Sequence, residues 1–188
     1  MGGALVKEGG VSYLVLPVGP RDHGQGPMEA AVTLLEYGDF ECAHCAETFH
    51  LIMEIKRWLH GALCYVFRPS PAAEKHPHAL RAAEAAEAAG VQGRFWEMHD
   101  LLCERSPALD DVHLKRYAQE LGLDLERFER EMRERVHLGR VREDFESGVA
   151  SGVSDTPAFF INGVLYEGAA DLDSLLAAIE EAGTSSHG

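Results

Sequence analysis

Residues 31–60 read AVTLLEYGDFECAHCAETFHLIMEIKRWLH, and the way this stretch divides decides the fold. Its first seven residues, AVTLLEY, are largely apolar and partly β-branched, which suits a buried strand. The period then changes. Phe49, Ile52, Ile55 and Leu59 recur at helical spacing, with Glu47, His50, Glu54 and Arg57 on the opposite side, which predicts a helix over 43–60. Gly61 punctuates it, and residues 62–68 (ALCYVFR) predict a second strand. Strand, helix and strand over this length make a βαβ unit whose strands run parallel. Cys42, Ala43, His44 and Cys45 fall where the first strand hands over to the helix.

Outward from this unit the chain changes character. Between residues 78 and 152 no strand pattern appears, only amphipathic helices marked by Phe95, Met98 and Leu102, by Leu114, Tyr117 and Leu121, by Leu125, Phe128 and Met132, and by Leu138, Val141, Phe145 and Val149. The alanine-rich stretch 81–89 is a further helix former. Asp110 and Asp124 stand as N-caps. Strands return at 158–161 and 164–167 around Asn162-Gly163, a hairpin signal because both turn residues tolerate positive φ. Asp171 then caps a last helix carrying Leu172, Leu175, Leu176 and Ile179. The expected architecture is α/β, in the order β-α-β, helical insert, β-β-α. Residues 31–70 and 153–182 form one layered domain and 71–152 the insert. Residues 1–30 read as a loose arm with one short strand near 11–16 and a loop at 19–27, and 183–188 as a frayed tail.

Composition bounds the function. The 188 residues carry 17 basic and 31 acidic side chains, a net charge of −14. Such a chain is poorly suited to a nucleic-acid backbone or an anionic membrane surface. No run approaches a membrane span, which argues against membrane insertion. Residues 11–18 are too short, and too interrupted by Ser12 and Pro17, for a secretory leader. The expected location is the cytoplasm for the chain as it stands, or an extracytoplasmic compartment if a leader has been trimmed.

Of the four cysteines, Cys42 and Cys45 are paired as CxxC, while Cys64 and Cys103 are isolated. A thiolate at a helix N-terminus faces unpaired N–H groups and the positive end of the helix dipole, which stabilise its charge. Cys42, the outer residue, is therefore the expected nucleophile, and Cys45, one turn further in, the resolving thiol. His44 between them adds to thiolate stability and points to a pair poised to donate disulfides. Half a zinc site, a chance pair and a permanent structural disulfide are the competing readings. No second CxxC and no His-x₃₋₅-His pair supports the first, so no metal role is assigned to any residue. Glu36, six residues before Cys42, is either a buried acid that exchanges protons with Cys45 or a surface carboxylate at a strand end. Thr156-Pro157 is either a cis bond facing the dithiol or an ordinary trans proline opening a strand. Phe40 and Ala43, beside the pair, are expected to line a substrate groove together with Thr156 and Pro157.

YGDFECAHC (37–45), Phe67-Arg68, HPHALRAAEAAEAAG (76–90), FWEMHDLL (95–102) and GVSDTPAFFING (152–163) together resemble the DsbA-like thioredoxin-fold oxidoreductases, in the bacterial branch with an all-helical insert. RDHGQGP (21–27) resembles the lead-in loop of that branch, in which such domains sometimes occur fused to a membrane transporter. The resemblance implies a thioredoxin fold and thiol–disulfide exchange. It implies Cys42 as nucleophile, Cys45 as resolving cysteine, Pro157 as the cis proline, Thr156 as the residue before it and Glu36 as the buried acid. No cofactor beyond a redox-active Cys42–Cys45 disulfide is implied. The partners would be protein thiols and disulfides or small thiols, with a further redox partner that the sequence does not identify.

Three departures stand out. Ala43 replaces a proline common in the family, Asp155 replaces a small residue, and Arg68-Pro69-Ser70-Pro71 replaces a histidine-containing segment. Two other functions fit the same elements: a glutathione-dependent transferase or isomerase of related fold, against which the intact CxxC counts, and a non-catalytic peptide-binding or chaperone module.

Overall fold

The computed structural model of the chain describes residues 7–8 and 11–185. Its strands are β1 (Lys7–Glu8), β2 (Val11–Ser12), β3 (His23–Gln25), β4 (Val32–Gly38), β5 (Leu63–Pro69), β6 (Ala158–Ile161) and β7 (Val164–Leu165). Its helices are α1 (Ala43–Leu59), α2 (Ala79–Gly90), α3 (Phe95–Glu104), α4 (Asp111–Glu120), α5 (Leu125–Glu134), α6 (Leu138–Ala150) and α7 (Leu172–Ser185). The βαβ, helical block and ββα order read from the sequence is present, an α/β architecture.

The main sheet has the order β3-β5-β4-β6-β7. β4 and β5 pair in parallel, with Leu34 opposite Tyr65 and Glu36 opposite Phe67, while β6 pairs antiparallel on the other side of β4. β5 is buried along its whole length and β4 nearly so, because both faces of the sheet are covered. On one face Val32, Leu34, Tyr65 and Phe67 join α1, α7 and the inserted helices in the larger core. On the other, Leu35, Tyr37, Cys64, Val66 and Phe160 pack against Leu14, Val18 and Val153. Cys64 is thus a fully buried core residue. The Asn162-Gly163 turn places both residues at positive φ, 47° and 81°, as a tight hairpin requires.

The inserted helices meet the sheet through specific contacts. Phe95 stacks on His23 at 3.6 Å, and the indole of Trp96 donates to the Gly24 carbonyl at 3.3 Å. α6 approaches β4 so closely that a Cβ at Gly148 would lie 3.0 Å from the Tyr37 ring. Asp110 caps α4 by accepting from the Val112 and His113 N–H groups, Asp124 caps α5 through Arg127, and Asp171 accepts from Ser174. Inside α2, the buried Glu84 is held by a bidentate Arg135 and the buried Glu87 by His23 at 3.0 Å.

Three expectations are corrected. Residues 11–30 are no loose arm: Leu14 and Val18 cover the second face of the sheet, Tyr13 bridges to Val164, and β3 forms an edge strand paired antiparallel to β5. A three-residue strand containing a glycine has no periodicity to read, and β5 supplies the pairing that orders it. The second hairpin strand is only Val164–Leu165, shorter than the expected 164–167. The final helix runs through Ser185, so 183–185 belong to it, and the rest of the expected tail, 186–188, lies outside the described residues.

Candidate active site

The CxxC sits at the mouth of α1. Cys42 is the N-cap residue, with extended backbone angles and no side-chain cap bond of its own, so the first-turn N–H groups stay directed at the site. Its thiol donates to the Thr156 carbonyl across 3.5 Å. Both cysteines are free thiols here. They are almost equally enclosed, Cys42 at 7% exposure and Cys45 at 6%. The expected contrast between an open outer thiol and a shielded inner one is therefore absent from their exposure and present in their surroundings. Cys45 Sγ accepts the Asp39 N–H at 3.4 Å, and burial, reinforced by the charge of Glu36, pushes its thiol far above the usual range. Ala43 and His44, between the two, face solvent.

The Thr156–Pro157 peptide bond is cis and both residues are half-buried beside Cys42. Asp155 turns outward: its carboxylate accepts the Thr156 N–H at 3.0 Å and stands 4.0 Å from the Lys75 ammonium, both ends of that pair well exposed. Water and Lys75 screen its charge from Cys42. Phe40 is corrected. It is 3% exposed and packs on Phe67 and His99 at 5.1 and 5.7 Å, so the core occupies the surface it was expected to offer a substrate. The apolar surface beside the dithiol is instead a groove of about 500 Å³ whose lining includes Pro71, Leu80, Val141, Phe145, Val153 and Thr156. It lies between the inserted helices and the proline loop. Val141, Phe145 and Val149 of the apolar stripe read from the spacing of α6 line it, although that spacing alone does not show that the stripe borders a groove.

Asp39 was not singled out in the sequence. Its carboxylate is wholly buried and accepts from the N–H groups of Glu41 (2.9 Å) and Ala72 (2.8 Å) and pairs with His76 Nδ1 (2.8 Å). With Glu41, which accepts the His78 N–H at 2.7 Å, it fastens segment 72–78 to the loop that carries Cys42. Asp39 is one of three acids in the stretch before Cys42, with Glu36 and Glu41, and nothing in the sequence set it apart from them.

Glu36 is the buried acid of the two readings, at 3% exposure, with Oε2 accepting the Tyr65 hydroxyl at 2.7 Å. Desolvation carries it from 4.5 to about 7, the Tyr65 bond offsetting part of the rise. Between those two values the unfolded chain has lost this proton and the folded chain has kept it. The folded state then binds more protons, and stability falls as pH rises through the window. Glu36→Gln removes the penalty, and is expected to gain about 3 kcal/mol over the unsubstituted protein at about pH 8 and nothing below about pH 4. Urea denaturation across pH checks this; a difference that does not vary with pH would contradict the buried titration.

The comparisons with known proteins agree with this geometry. The family model described as Thioredoxin matches residues 19–181. Na(+)/H(+) antiporter NhaA 3 of Salinispora tropica is 44% identical over 174 residues, which are 92% of this chain and 26% of the antiporter. The NhaA antiporter of Herminiimonas arsenicoxydans is 42% identical over 165 residues, 87% of this chain and 26% of its own. This chain thus spans about a quarter of the length of these curated relatives. Among solved structures, oxidised BdbD from Bacillus subtilis superposes with a TM-score of 0.78 at 21% identity, covering 86% of this chain and 92% of its own. α-DsbA1 from Wolbachia pipientis gives 0.78 at 22% identity over 93% and 96% of the two chains. A thioredoxin-like oxidoreductase from Silicibacter pomeroyi gives 0.77 at 25% over 87% and 93%. From the lead-in of the sheet to its last helix, therefore, this chain belongs to the thioredoxin family, and its fold is that of the DsbA-like oxidoreductases.

Proposed function

We propose that the chain is a thiol–disulfide oxidoreductase that exchanges disulfides with protein thiols through a mixed disulfide at Cys42. The observation that carries this reading is the unequal chemistry of two equally enclosed thiols. Cys42 caps the helix and touches the Thr156 carbonyl, whereas Cys45 is held neutral by burial and by Glu36. Cys42 attacks, and Cys45 waits until a mixed disulfide places a sulfur beside it. Thr156 and Pro157 present the backbone along which an extended substrate segment lies, and the groove beside Thr156 takes its apolar side chains. His44, exposed on the first turn, adds positive charge near Cys42 when protonated and moves the pair toward disulfide donation.

The two NhaA relatives, both antiporters by name, point to a setting next to a membrane transporter, although no helix among the described residues is long and apolar enough to cross a membrane. The apolar groove also suits a non-catalytic peptide binder. That second reading keeps its binding when both Cys42 and Cys45 are replaced, whereas exchange is lost.

An equilibrium titration in glutathione buffers at neutral pH, with Cys64 and Cys103 replaced, tests the proposal. A reversible two-electron transition is the expected result. A midpoint above about −200 mV identifies a disulfide donor, and one near about −270 mV a reductase. A protein with no reversible transition is not an oxidoreductase of this kind.

A further inference from the structure

Tyr65 lies on β5, two residues before the Phe67 that pairs with Glu36, and on the same face of the sheet. It is 2% exposed, and its hydroxyl reaches Glu36 Oε2 at 2.7 Å. The ring is wedged in place: Trp96 of α3 packs at 5.4 Å between centroids, and the Lys56 ammonium of α1 stands 5.4 Å from the ring centre. We infer that Tyr65 is a positioning residue for exchange, its hydroxyl holding the Glu36 carboxylate in the ionised, oriented form that accepts the proton of Cys45. This rests on the exchange reading above and deepens it.

Among the described residues Tyr65 of β5 contacts Glu36 directly, and Cys45 of α1 and Cys103 of α3 are near enough for its charge to raise their thiols. Burial pushes all three above their usual ranges, so each arrives at neutral pH with its proton on, and Glu36, at about 7, is the member that changes state there. In the geometry shown the Tyr65 hydroxyl donates to Glu36, and a donor stabilises the carboxylate against the carboxylic acid, which holds the Glu36 pKa below where burial alone would carry it.

With Cys42 joined to a substrate sulfur, Glu36 takes the Cys45 proton and the Cys45 thiolate attacks Cys42 Sγ. The Cys42–Cys45 bond forms and the Cys42–substrate bond breaks. Its electron pair leaves on the substrate sulfur, which draws a proton from water. The protein pair is oxidised and the substrate disulfide reduced. Disulfide donation runs the same steps backwards, with Glu36 returning the proton to Cys45.

The experiment mixes reduced protein, Cys64 and Cys103 replaced by Ala, with one equivalent of an aromatic disulfide whose thiol product is coloured. Cys42 releases the first thiol and Cys45 the second, so the first phase is an internal reference. The second-phase rate is expected to rise with pH through a midpoint of about 7, where burial carries Glu36. Tyr65→Phe is expected to move that midpoint up by about one pH unit and to slow the second phase about fivefold at neutrality. In a Glu36→Gln background the same substitution adds no further change. An unmoved midpoint, or an equal slowing with and without Glu36, would make Tyr65 a packing residue and overturn the inference while leaving exchange intact. If the unsubstituted dithiol protein shows neither phase, the exchange reading itself falls.

Discussion

Cys42→Ser is expected to lower the rate of disulfide exchange by about a thousandfold or more, whereas Cys45→Ser preserves the first attack and accumulates a stable mixed disulfide. The asymmetry follows from the surroundings. Cys45 cannot stand in for Cys42, because burial and the neighbouring Glu36 charge hold its thiol protonated at neutral pH. Serine at 42 keeps the shape of the N-cap but has no accessible oxyanion and no sulfur to bridge. Rapid-mixing kinetics with a small disulfide separates the two variants, and mass spectrometry of the Cys45→Ser protein shows the trapped adduct. Equal loss in both variants would remove the assignment of roles, and full activity in Cys42→Ser would remove the site.

Arg68→Ala is expected to cost about 3–5 kcal/mol of stability, because it strands a buried charge. The Arg68 and Asp22 side chains are both completely buried, joined by Nε to Oδ1 at 2.8 Å and by a second bond to Oδ2 at 3.0 Å. The same guanidinium donates to the carbonyls of Leu16 and Pro17 and to the Tyr37 hydroxyl, so one truncation leaves five acceptors without a donor they now have. Burial by itself would lower the guanidinium's affinity for its proton, but Asp22 and Tyr37 hold it above the ordinary value. The nearest other cation, Arg140, stands 3.9 Å from Asp22 and is already engaged with Asp144 at 3.0 Å. Replacing both partners with apolar residues, Arg68→Met with Asp22→Leu, is expected to recover most of the loss, since no charge is then left unpaired. Urea midpoints at constant slope measure both variants. A cost below about 1 kcal/mol for Arg68→Ala would mean that water reaches Asp22. The effect reaches the site because Arg68 pairs with Tyr37, and Gly38, the next residue along the strand, accepts the Ser70 N–H at 2.7 Å next to the loop carrying Cys42.

The parts of this protein that depend on near neighbours in the chain were legible from its sequence. The period of α1, the caps Asp110, Asp124 and Asp171, the Asn162-Gly163 turn and the CxxC at a strand-to-helix junction each involve residues only a few positions apart. Local backbone geometry selects their side chains directly. Tertiary structure alone decided the rest. It drew β3 out of a glycine-containing loop, buried Phe40 against Phe67 and His99, and opened the groove between the proline loop and the inserted helices. It also resolved Glu36 as the buried acid, by bringing to it a tyrosine 29 residues away, and it neutralised the buried Arg68 with an aspartate 46 residues away. A buried charge or hydroxyl must find a partner wherever the fold places one. That partner is set by which strands lie side by side, which no local pattern in the chain encodes.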